Sequence, residues 1–395
     1  MQSVILAAGE SSRFWPLNKK HKSCFQIMGR PLICYVLENL KKAGLKEVII
    51  VQGPKKDIEK ELKKCRLPKF TGGIKYVVQK APLGTGDAVI CAKKYLQEKF
   101  LVLYGDDFYA TEDIKKIASK FPSILVKEVK NPSRFGVIVA EKNYVKEIVE
   151  KPDNPKSRLV NAGCFFIPKT ILAEKIQKSQ RGEYEIVDYI QKLAKKTKLY
   201  FSKAENWFPL SYSWDLLNIN EFLLKSIKTK IAGKVEKNCH VKGQVIVGKG
   251  TIIKSGAYIE GPVYIGENCE IKPNAYIRPS TYVASNCVIG HGVEIKNSII
   301  CSGAKITHLS YLGDSIVGEN CNLGGGTIIA NLRFDGKNVQ AMVKGKLIDT
   351  GRRKFGAVLG TGVKVGVHSS IMPGVLVGAG AVISPHALVK RNVEV

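Results

Sequence analysis

The sequence predicts two domains of different architecture: an α/β domain with a mixed sheet, followed by a three-sided β-solenoid. In the first 229 residues, short β-branched segments alternate with amphipathic ones, which is the pattern of α/β proteins. From Val235 onward, aliphatic residues recur at every sixth position. That period fits neither an α-helix nor a hairpin, whereas a solenoid with three flat sides of six residues requires it. We therefore expect one domain over residues 1–229 and another over residues 230–395.

The elements of the first domain are predicted from the pattern of hydrophobic residues and from the Pro and Gly residues at their ends. VILAAG predicts a strand that enters a loop, and PLICYVLENLKKAG predicts a helix with Pro31 in its first turn and Gly44 after its end. Four further segments predict strands: KEVIIVQ, IKYVVQ, FLVLYGD and SILVKEV. RFGVIVAEKNYVKEIVEKP has the pattern of a hairpin, so the sheet is expected to be mixed.

The solenoid is predicted by two aliphatic series. The first runs from Val235 to Ile295 and the second from Leu359 to Val389, each in steps of six residues. Four residues after each aliphatic position comes a small or aliphatic side chain, which suits a turn of the backbone. Between the series lie a phase slip near residues 301–316 and an excursion across residues 330–354. Excursions of this kind usually carry function.

Composition narrows the class of protein. Lys and Arg number 62 against 34 Asp and Glu, a formal net charge of +28, but the lysines are spread along predicted helix faces. This favours anionic small substrates over nucleic acid. No apolar segment is long enough to span a membrane, and the ten cysteines form no CxxC pairs, so we expect a cytoplasmic protein with reduced thiols.

The opening segment LAAGESSRFWPL, with His21 and Lys22 behind it, resembles the signature of sugar-1-phosphate nucleotidylyltransferases. The resemblance implies a Rossmann-like nucleotidyltransferase domain that binds UTP or dTTP. A Gly-bearing loop after a strand lets backbone N–H groups approach phosphates, and cationic side chains neutralise the triphosphate. The implied nucleotide-binding residues are Leu6, Ala7, Ala8, Gly9, Arg13, Lys22, Gln79, Gly84, Thr85, Gly86 and Tyr104.

The same resemblance assigns the chemistry of this domain. It implies that Lys22 and Asp106 are catalytic and that Asp106, at the end of a predicted strand, holds Mg²⁺. The residues that resemble the sugar-binding positions are Gly136, Glu150, Lys151 and Asn161. Two positions depart from the family pattern: Ser11 stands in place of a glycine, and Pro209 in place of an aspartate that is the second metal ligand. Asp215 lies six residues after Pro209, and the sequence leaves open whether it substitutes.

The six-residue repeats resemble those of left-handed parallel β-helix acyltransferases, which are typically trimers that bind acyl-CoA between subunits. The segment AKITHLSYLGD further resembles the catalytic segment of glucosamine-1-phosphate N-acetyltransferases, with His308 as the general base. Arg278 and Lys296 are eighteen residues apart, so they should lie one coil apart on one face. The implied amino-sugar-phosphate residues are Arg278, Lys296, Tyr311 and Asn322, and those for acetyl-CoA are Gly325, Asn331 and Lys337.

Together these segments resemble the archaeal branch of bifunctional sugar-1-phosphate nucleotidylyltransferase and amino-sugar-1-phosphate acetyltransferases, across nearly the whole chain. The implied product is UDP-N-acetylglucosamine, made by a homotrimer without nucleic acid or membrane as a partner. Three alternatives remain open: an acetyltransferase with a degenerate first domain, a glucose-1-phosphate thymidylyl- or uridylyltransferase, and a non-catalytic assembly protein.

Overall fold

A computed structural model describes residues 1–179 and 182–394. The chain divides into two compact units. The first consists of Met1–Glu10, His21–Phe25 and Pro31–Leu210, and the second of Ser11–Lys20, Gln26–Arg30 and Ser211–Val395. The domain boundary expected between residues 229 and 230 stays a prediction.

The first unit is built on a mixed sheet of nine strands in the order β3-β2-β1-β4-β8-β5-β9-β7-β6. The strands are β1 (Gln2–Ala7), β2 (Glu47–Gln52), β3 (Ile74–Val78), β4 (Lys99–Tyr104), β5 (Ser123–Glu128), β6 (Gly136–Glu141), β7 (Tyr144–Glu150), β8 (Leu159–Pro168) and β9 (Tyr200–Lys203). Strands β1 to β4 pair in parallel, and β8 runs antiparallel to β4. Strands β6 and β7 form the predicted hairpin, so the mixed sheet is confirmed.

The central strands of this sheet are fully buried because helices cover both of its faces. The six helices of the chain's described part are α1 (Leu32–Lys42), α2 (Asp57–Leu62), α3 (Thr85–Ala92), α4 (Thr111–Ala118), α5 (Ile186–Lys196) and, in the second unit, α6 (Asp215–Leu224). Helices α1, α2 and α4 pack into one hydrophobic core, whereas α3 and α5 pack into another. Alternate residues of β1 supply the two cores, Ile5 to the first and Val4 to the second. Helix α1 follows Pro31 and ends before Gly44, as predicted.

Short elements complete the chain. They are the strands Gln26–Ile27, Arg30–Pro31, Phe108–Tyr109 and Trp207–Phe208 and the 3₁₀ helices Ser12–Phe14, Lys22–Cys24, Lys93–Tyr95, Pro132–Arg134 and Lys169–Ala173.

The second unit contains three parallel eight-stranded sheets, consistent with a left-handed β-helix. The first face has Lys230–Ile231, Val245–Val247, Val263–Ile265, Thr281–Val283, Ile299–Ile300, Ile316–Val317, Val358–Leu359 and Leu376–Val377. The second face has Lys234–Val235, Ile252–Ile253, Glu270–Ile271, Val288–Ile289, Lys305–Ile306, Asn322–Leu323, Lys364–Val365 and Val382–Ile383. The third face has His240–Lys242, Tyr258–Glu260, Tyr276–Ile277, Glu294–Lys296, Tyr311–Gly313, Ile328–Ile329, Ser370–Ile371 and Leu388–Val389.

The predicted aliphatic series forms the core of this β-helix. From Val247 to Ile295 every residue of the first series is buried, and so is every residue of the second series. The small residues that follow four positions later, such as Ala257 and Ala275, are buried as well. Val241 is exposed because it belongs to the first coil, which has only one neighbouring coil to pack against.

The prediction of one phase slip near residues 301–316 is wrong, because the six-residue spacing is shortened at two separate places. The inward column continues through Ile300, Ile306, Leu312 and Val317, so two separate steps, from Ile295 and from Leu312, are five residues long. Parallel pairing survives both shortened steps because the aliphatic residues stay aligned. His308 therefore lies in a corner of ordinary length, between Ile306 and Leu312, and not in a break of the coil.

The predicted excursion is confirmed. The chain leaves the third face after Ile329, forms a hairpin from Gln340–Val343 and Lys346–Asp349, and rejoins the first face at Val358. Among the described residues, no helix is both long and apolar enough to cross a membrane. All ten cysteines lie within the described residues, and none of them forms a disulfide.

We predict that the two isoleucines of one strand differ sharply in their effect on stability. Ile253 points into the core and is fully buried, whereas its neighbour Ile252 is partly exposed. Ile253→Ala should lower the free energy of unfolding by about 2–5 kcal/mol, because it leaves a cavity in a packed column. Ile252→Ala should lower it by less than about 1 kcal/mol. Equal losses in denaturant unfolding would contradict the inward column.

Candidate active sites

The first candidate site lies where β1 and β4 end side by side. Leu6 pairs with Tyr104, and the N–H of Gly105 donates to the carbonyl of Leu6 at 2.8 Å. The carboxyl ends of parallel strands are the usual ligand edge of such a sheet. Leu6 and Ala7 are buried, whereas an added Cβ at Gly9 would meet nothing within 4 Å. The Ala8–Gly9 loop therefore has room for a ligand close to its backbone.

Lys22 and Asp106 form a buried ion pair at this edge. The Lys22 side chain is 9% exposed, and its ammonium also donates to the carbonyl of Leu210 at 2.6 Å. Burial would raise the pKa of Asp106, but the charge and hydrogen bond of Lys22 outweigh burial and hold this pKa below its ordinary value. The two predicted catalytic groups are thus in contact with each other.

Asp107 is a buried carboxyl that the sequence reasoning did not single out. It accepts hydrogen bonds from Nε1 of Trp207 at 2.9 Å and from the N–H of Leu210 at 3.3 Å. Burial and the neighbouring charge of Asp106 raise the pKa of Asp107 to about 8. Asp107 therefore holds in place the segment that carries Pro209.

The carboxylates present suit a metal ion that is shared with phosphates. No group of three or more His, Cys, Asp or Glu side chains suited to a metal occurs among the described residues. Mg²⁺ usually binds one or two protein carboxylates together with substrate phosphates and water. Asp106 fits that donor pattern, whereas both oxygens of Asp107 already accept hydrogen bonds.

Asp215 does not resemble a substitute for the missing ligand. Its Oδ2 atom accepts from the N–H groups of Ser211 and Tyr212, each at 2.8 Å, at the start of α6. Asp215 belongs to the second unit, as does Arg13, whose guanidinium lies 5.9 Å from the ring centre of Tyr212.

The Gly84–Gly86 turn is held by internal hydrogen bonds. Gln79 is buried, and its amide nitrogen donates to the carbonyl of Gly84 at 3.0 Å and to Asp87 at 2.8 Å. Thr85 donates to Glu185 at 3.1 Å. The amide nitrogen of Gln79 thus supports the turn.

The four predicted sugar-binding residues come together. Glu150 pairs with Gly136 across the hairpin, and an added Cβ at Gly136 would lie 3.0 Å from Glu150 and 3.6 Å from Asn161. Lys151 forms a 3.4 Å ion pair with Glu150. A carboxylate, an ammonium group and an amide therefore lie around the backbone of Gly136, where a larger side chain would be crowded.

The second candidate site is spread along the third face of the β-helix. Register pairs Tyr276 with Glu294 and Ile277 with Ile295, so Arg278 lies one coil from Lys296 on the same face. Tyr311 begins the strand of the next coil, where Gly313 pairs with Lys296. Arg278 forms a 2.8 Å ion pair with Glu294, and Lys296 lies 3.4 Å from Asp314.

His308 occupies the corner that precedes the third face. It is exposed, and Gly325 lies beside it on the following coil, where an added Cβ would be 3.6 Å from the Cβ of His308. Lys296 pairs with Gly313, which lies five residues after His308. Five residues span at most about 17 Å along a strand. Within one chain, the two cations therefore lie on the third face, and His308 lies at the corner that leads into it.

Asn322 and Lys337 lie apart from this group. Asn322 is on the second face, paired with Lys305 and Lys364. Lys337 is exposed on the excursion and lines an open cleft of about 500 Å³ with Arg333 and Gln340. Arg352, on the same excursion, is mostly buried and pairs with Glu221 at 2.8 Å.

Comparisons with known proteins agree with this two-part arrangement. The family model for nucleotidyl transferases matches residues 2–226, and a model of the GMPPB C-terminal domain matches residues 259–349. The bifunctional protein GlmU of Methanocaldococcus jannaschii is 41% identical over 399 residues, which cover 100% of this chain and 96% of that protein. A bifunctional sugar-1-phosphate nucleotidylyltransferase/acetyltransferase of Sulfurisphaera tokodaii is 41% identical over 404 residues, covering 100% and 98%. The chain belongs to this family of bifunctional enzymes.

A solved structure supports the fold of the first unit. A chain described as a glucose-1-phosphate thymidylyltransferase of Bacillus anthracis aligns with a TM-score of 0.51 at 23% identity. The alignment covers 58% of this chain and 97% of that one. At this identity the likeness shows the fold alone.

Sequence reasoning missed the groups that support the family's site residues. Asp87 and Asp107 hold the turn and the segment described above, and Asp314 contacts Lys296. Asp107 directly follows the quoted segment FLVLYGD, and Asp314 is the last residue of the quoted segment AKITHLSYLGD. Their buried partners are distant in sequence, so the motifs alone gave no signal of the contacts.

We predict that two glycines with similar backbone strain respond differently to alanine. Gly73 has φ +75° with nothing within 4 Å of an added Cβ, whereas Gly84 has φ +102° and its Cβ would lie 2.4 Å from the carbonyl oxygen of Tyr184. Gly73→Ala should lower the free energy of unfolding by about 1–2 kcal/mol, from strain alone. Gly84→Ala should lower it by about 1–3 kcal/mol more and weaken nucleoside triphosphate binding. Calorimetry that finds unchanged nucleotide affinity in Gly84→Ala would contradict this role of the turn.

Proposed function

We propose that this enzyme transfers the acetyl group of acetyl-CoA to glucosamine-1-phosphate and then joins N-acetylglucosamine-1-phosphate to UTP. The products are free CoA, pyrophosphate and UDP-N-acetylglucosamine. The observation that carries the proposal is the full-length match to bifunctional relatives, together with the presence of both residue sets. A cytoplasmic location, without nucleic acid or membrane as a partner, belongs to the same proposal.

In uridylyl transfer, an oxygen of the sugar phosphate attacks the α-phosphorus of UTP, and pyrophosphate leaves. Catalysis of this type consists mostly of positioning and charge neutralisation. Lys22 is suited to phosphate oxygens because its ammonium already lies at the strand edge beside Asp106. Gly136, Glu150, Lys151 and Asn161 would grip the sugar phosphate. Mg²⁺ bound by Asp106 would neutralise further phosphate charge.

In acetyl transfer, the amine nitrogen attacks the thioester carbonyl carbon, and the carbon–sulfur bond breaks as the tetrahedral intermediate collapses. His308 would accept the proton that the amine loses and return it to the leaving thiolate. Arg278 and Lys296 would hold the sugar phosphate with Tyr311, and Asn331, Gly325 and Lys337 would contact acetyl-CoA. The small size of Gly325 supports this assignment, because it keeps the space beside His308 open.

A homotrimer is part of the proposal because one chain leaves its acetyl-transfer residues on two faces. Asn322 is on the second face and Lys296 on the third. A neighbouring chain could bring the second face of one coil against the third face of another. Exposed apolar side chains support such a contact at successive coils: Leu309 at 65%, Ile328 at 39%, Val367 at 45% and Leu388 at 55% exposure. Side chains of this kind are a common sign of an interface.

One observation favours a narrower second candidate, an acetyltransferase without nucleotidyl transfer. Pro209 stands where the family has a second metal-binding aspartate, and both Asp107 and Asp215 are engaged by backbone N–H groups. The two candidates differ in one measurable product, pyrophosphate. The base, UTP or dTTP, is decided by the same assay run with each nucleotide.

We predict that single substitutions separate the two reactions. His308→Ala should abolish thiol release from acetyl-CoA with glucosamine-1-phosphate and spare pyrophosphate release from UTP with N-acetylglucosamine-1-phosphate. Asp106→Ala should do the opposite. His240→Ala is the matched control, because His240 is also exposed on the third face but lies four coils away. Wild-type protein that releases thiol but no pyrophosphate establishes the narrower candidate, and a protein that makes neither product is an assembly protein.

We also predict that Ile328→Glu with Leu388→Glu converts the trimer to monomers. Light scattering should find three chains per particle in the wild type and one in the variant. Thiol release should be lost, whereas pyrophosphate release should persist because the first unit keeps its residues. The control is Lys249→Glu, an exposed change on an early turn of the β-helix. A wild-type protein that is monomeric and active would disprove the trimer.

A further inference from the structure

The side chain of Asp314 is a buried carboxylate in the middle of the second candidate site. It is 2% exposed and lies at the end of the third-face strand Tyr311–Gly313, in a left-handed turn with φ +49°. The aliphatic register therefore brings it to the same edge as Lys296, whose carbonyl accepts from the N–H of Asp314 at 2.9 Å. A carboxylate at this depth is stable only if its oxygens are fully paired.

Four side chains supply that pairing, two from the preceding coil and two from the excursion. The Oδ2 atom of Asp314 accepts from Nδ2 of Asn331 at 2.6 Å and lies 3.4 Å from Nζ of Lys296. Its Oδ1 atom accepts from Nδ2 of Asn297 at 2.7 Å and lies 3.9 Å from the guanidinium of Arg352. One carboxylate thus contacts a residue proposed for the sugar phosphate and a residue proposed for acetyl-CoA.

The contact with Asp314 fixes which way the amide of Asn331 faces. An ionised carboxylate can only accept hydrogen bonds, so the amide must present its nitrogen to Asp314. With its nitrogen occupied, Asn331 has its oxygen left for the substrate, and an amide oxygen accepts from an N–H group such as the attacking amine.

Arg352 ties this arrangement to the rest of the second unit. Its guanidinium pairs with Glu221 at 2.8 Å and with Asn218, both on α6, and Asn297 also donates to Glu221 at 2.9 Å. The excursion, helix α6 and the third face therefore meet around Asp314. A network with this many fixed partners holds its members in one geometry.

We propose that Asp314 is the positioning residue of the acetyl-transfer site, holding the ammonium of Lys296 and turning the amide oxygen of Asn331 toward the amine of the sugar phosphate. This inference rests on the proposed acetyl transfer. Asp314 itself contacts no substrate in the proposal and acts through Lys296 and Asn331.

The test is a double-substitution cycle on thiol release. Asp314→Asn keeps the shape but removes the charge, and the new amide can donate as well as accept. We expect the KM for glucosamine-1-phosphate to rise and kcat to fall, each on the order of tenfold, as for small misplacements at other sites. In a Lys296→Met background, Asp314→Asn should change this KM by less than about twofold, because the partner through which it acts is gone.

Controls separate positioning from a loss of fold. Glu236→Gln removes another β-helix carboxylate that pairs with a lysine one coil away, Lys254 at 3.1 Å, and should leave both constants unchanged. Pyrophosphate release should be the same in every variant. If Asp314→Asn does not fold, Asp314→Glu takes its place in the cycle: it keeps the charge, so kcat should fall while the KM for glucosamine-1-phosphate stays near that of the wild type.

Each outcome decides the matter. If the wild type is active and Asp314→Asn has normal constants, the positioning role is overturned. It is also overturned if Asp314→Asn raises the KM tenfold in both the wild-type and the Lys296→Met backgrounds. Both results leave the proposed function intact. A raised KM for glucosamine-1-phosphate in folded Asp314→Glu, when that variant is used, also overturns it. A wild type that releases no thiol overturns the proposed acetyl transfer and this inference with it.

Discussion

The inward aliphatic column of the β-helix is the constraint on which the second candidate site depends. Each coil must bring a Val, Ile or Leu into register with the coil before it, so residues seventeen or eighteen positions apart become neighbours. Arg278 and Lys296 are aligned by Ile277 and Ile295, which are fully buried beneath them. The core thus sets the backbone positions of the third-face residues, and contacts such as that between Lys296 and Asp314 set the side chains.

Both candidate sites hold a lysine against an aspartate. Lys22 is paired with Asp106, and Lys296 with Asp314, and both lysine side chains are mostly buried, at 9% and 23% exposure. A buried ammonium without a partner would be costly, so the aspartate stabilises the site before substrate arrives. The two pairs differ in what surrounds them. Asp106 is 30% exposed and can meet a cation, whereas Asp314 is enclosed by donors and can only orient its neighbours.

The sequence predicts the repeats of this molecule and the boundaries of its elements. It does not predict contacts between residues that are far apart along the chain. Period, helix boundaries, the hairpin and the excursion follow from residues close in sequence, and the structure has all of them. The inward turn of Arg352 could not be predicted, because it depends on Glu221, which lies 131 positions earlier. The five-residue step that follows Leu312 could not be predicted for a similar reason. The alignment of the aliphatic residues between coils, and not a constant spacing, decides which residues point into the core. Likewise, nothing in the residues of Ser11–Lys20 indicates that this segment belongs to the second compact unit.

The charge balance at the nucleotide edge explains why Pro209 matters to the chemistry of the first unit. Burial and the charge of Asp106 raise the pKa of Asp107 to about 8, and both oxygens of Asp107 accept hydrogen bonds within the protein. Asp107 is therefore poorly suited to replace the carboxylate that the resemblance implies at position 209. The remaining fixed charges, Asp106 and Lys22, cancel each other. A triphosphate therefore meets an edge without excess negative charge, which favours its binding. In the proposed uridylyl transfer, one carboxylate would hold Mg²⁺ less firmly than two, so Pro209 would lower the metal affinity more than the attraction of the nucleotide.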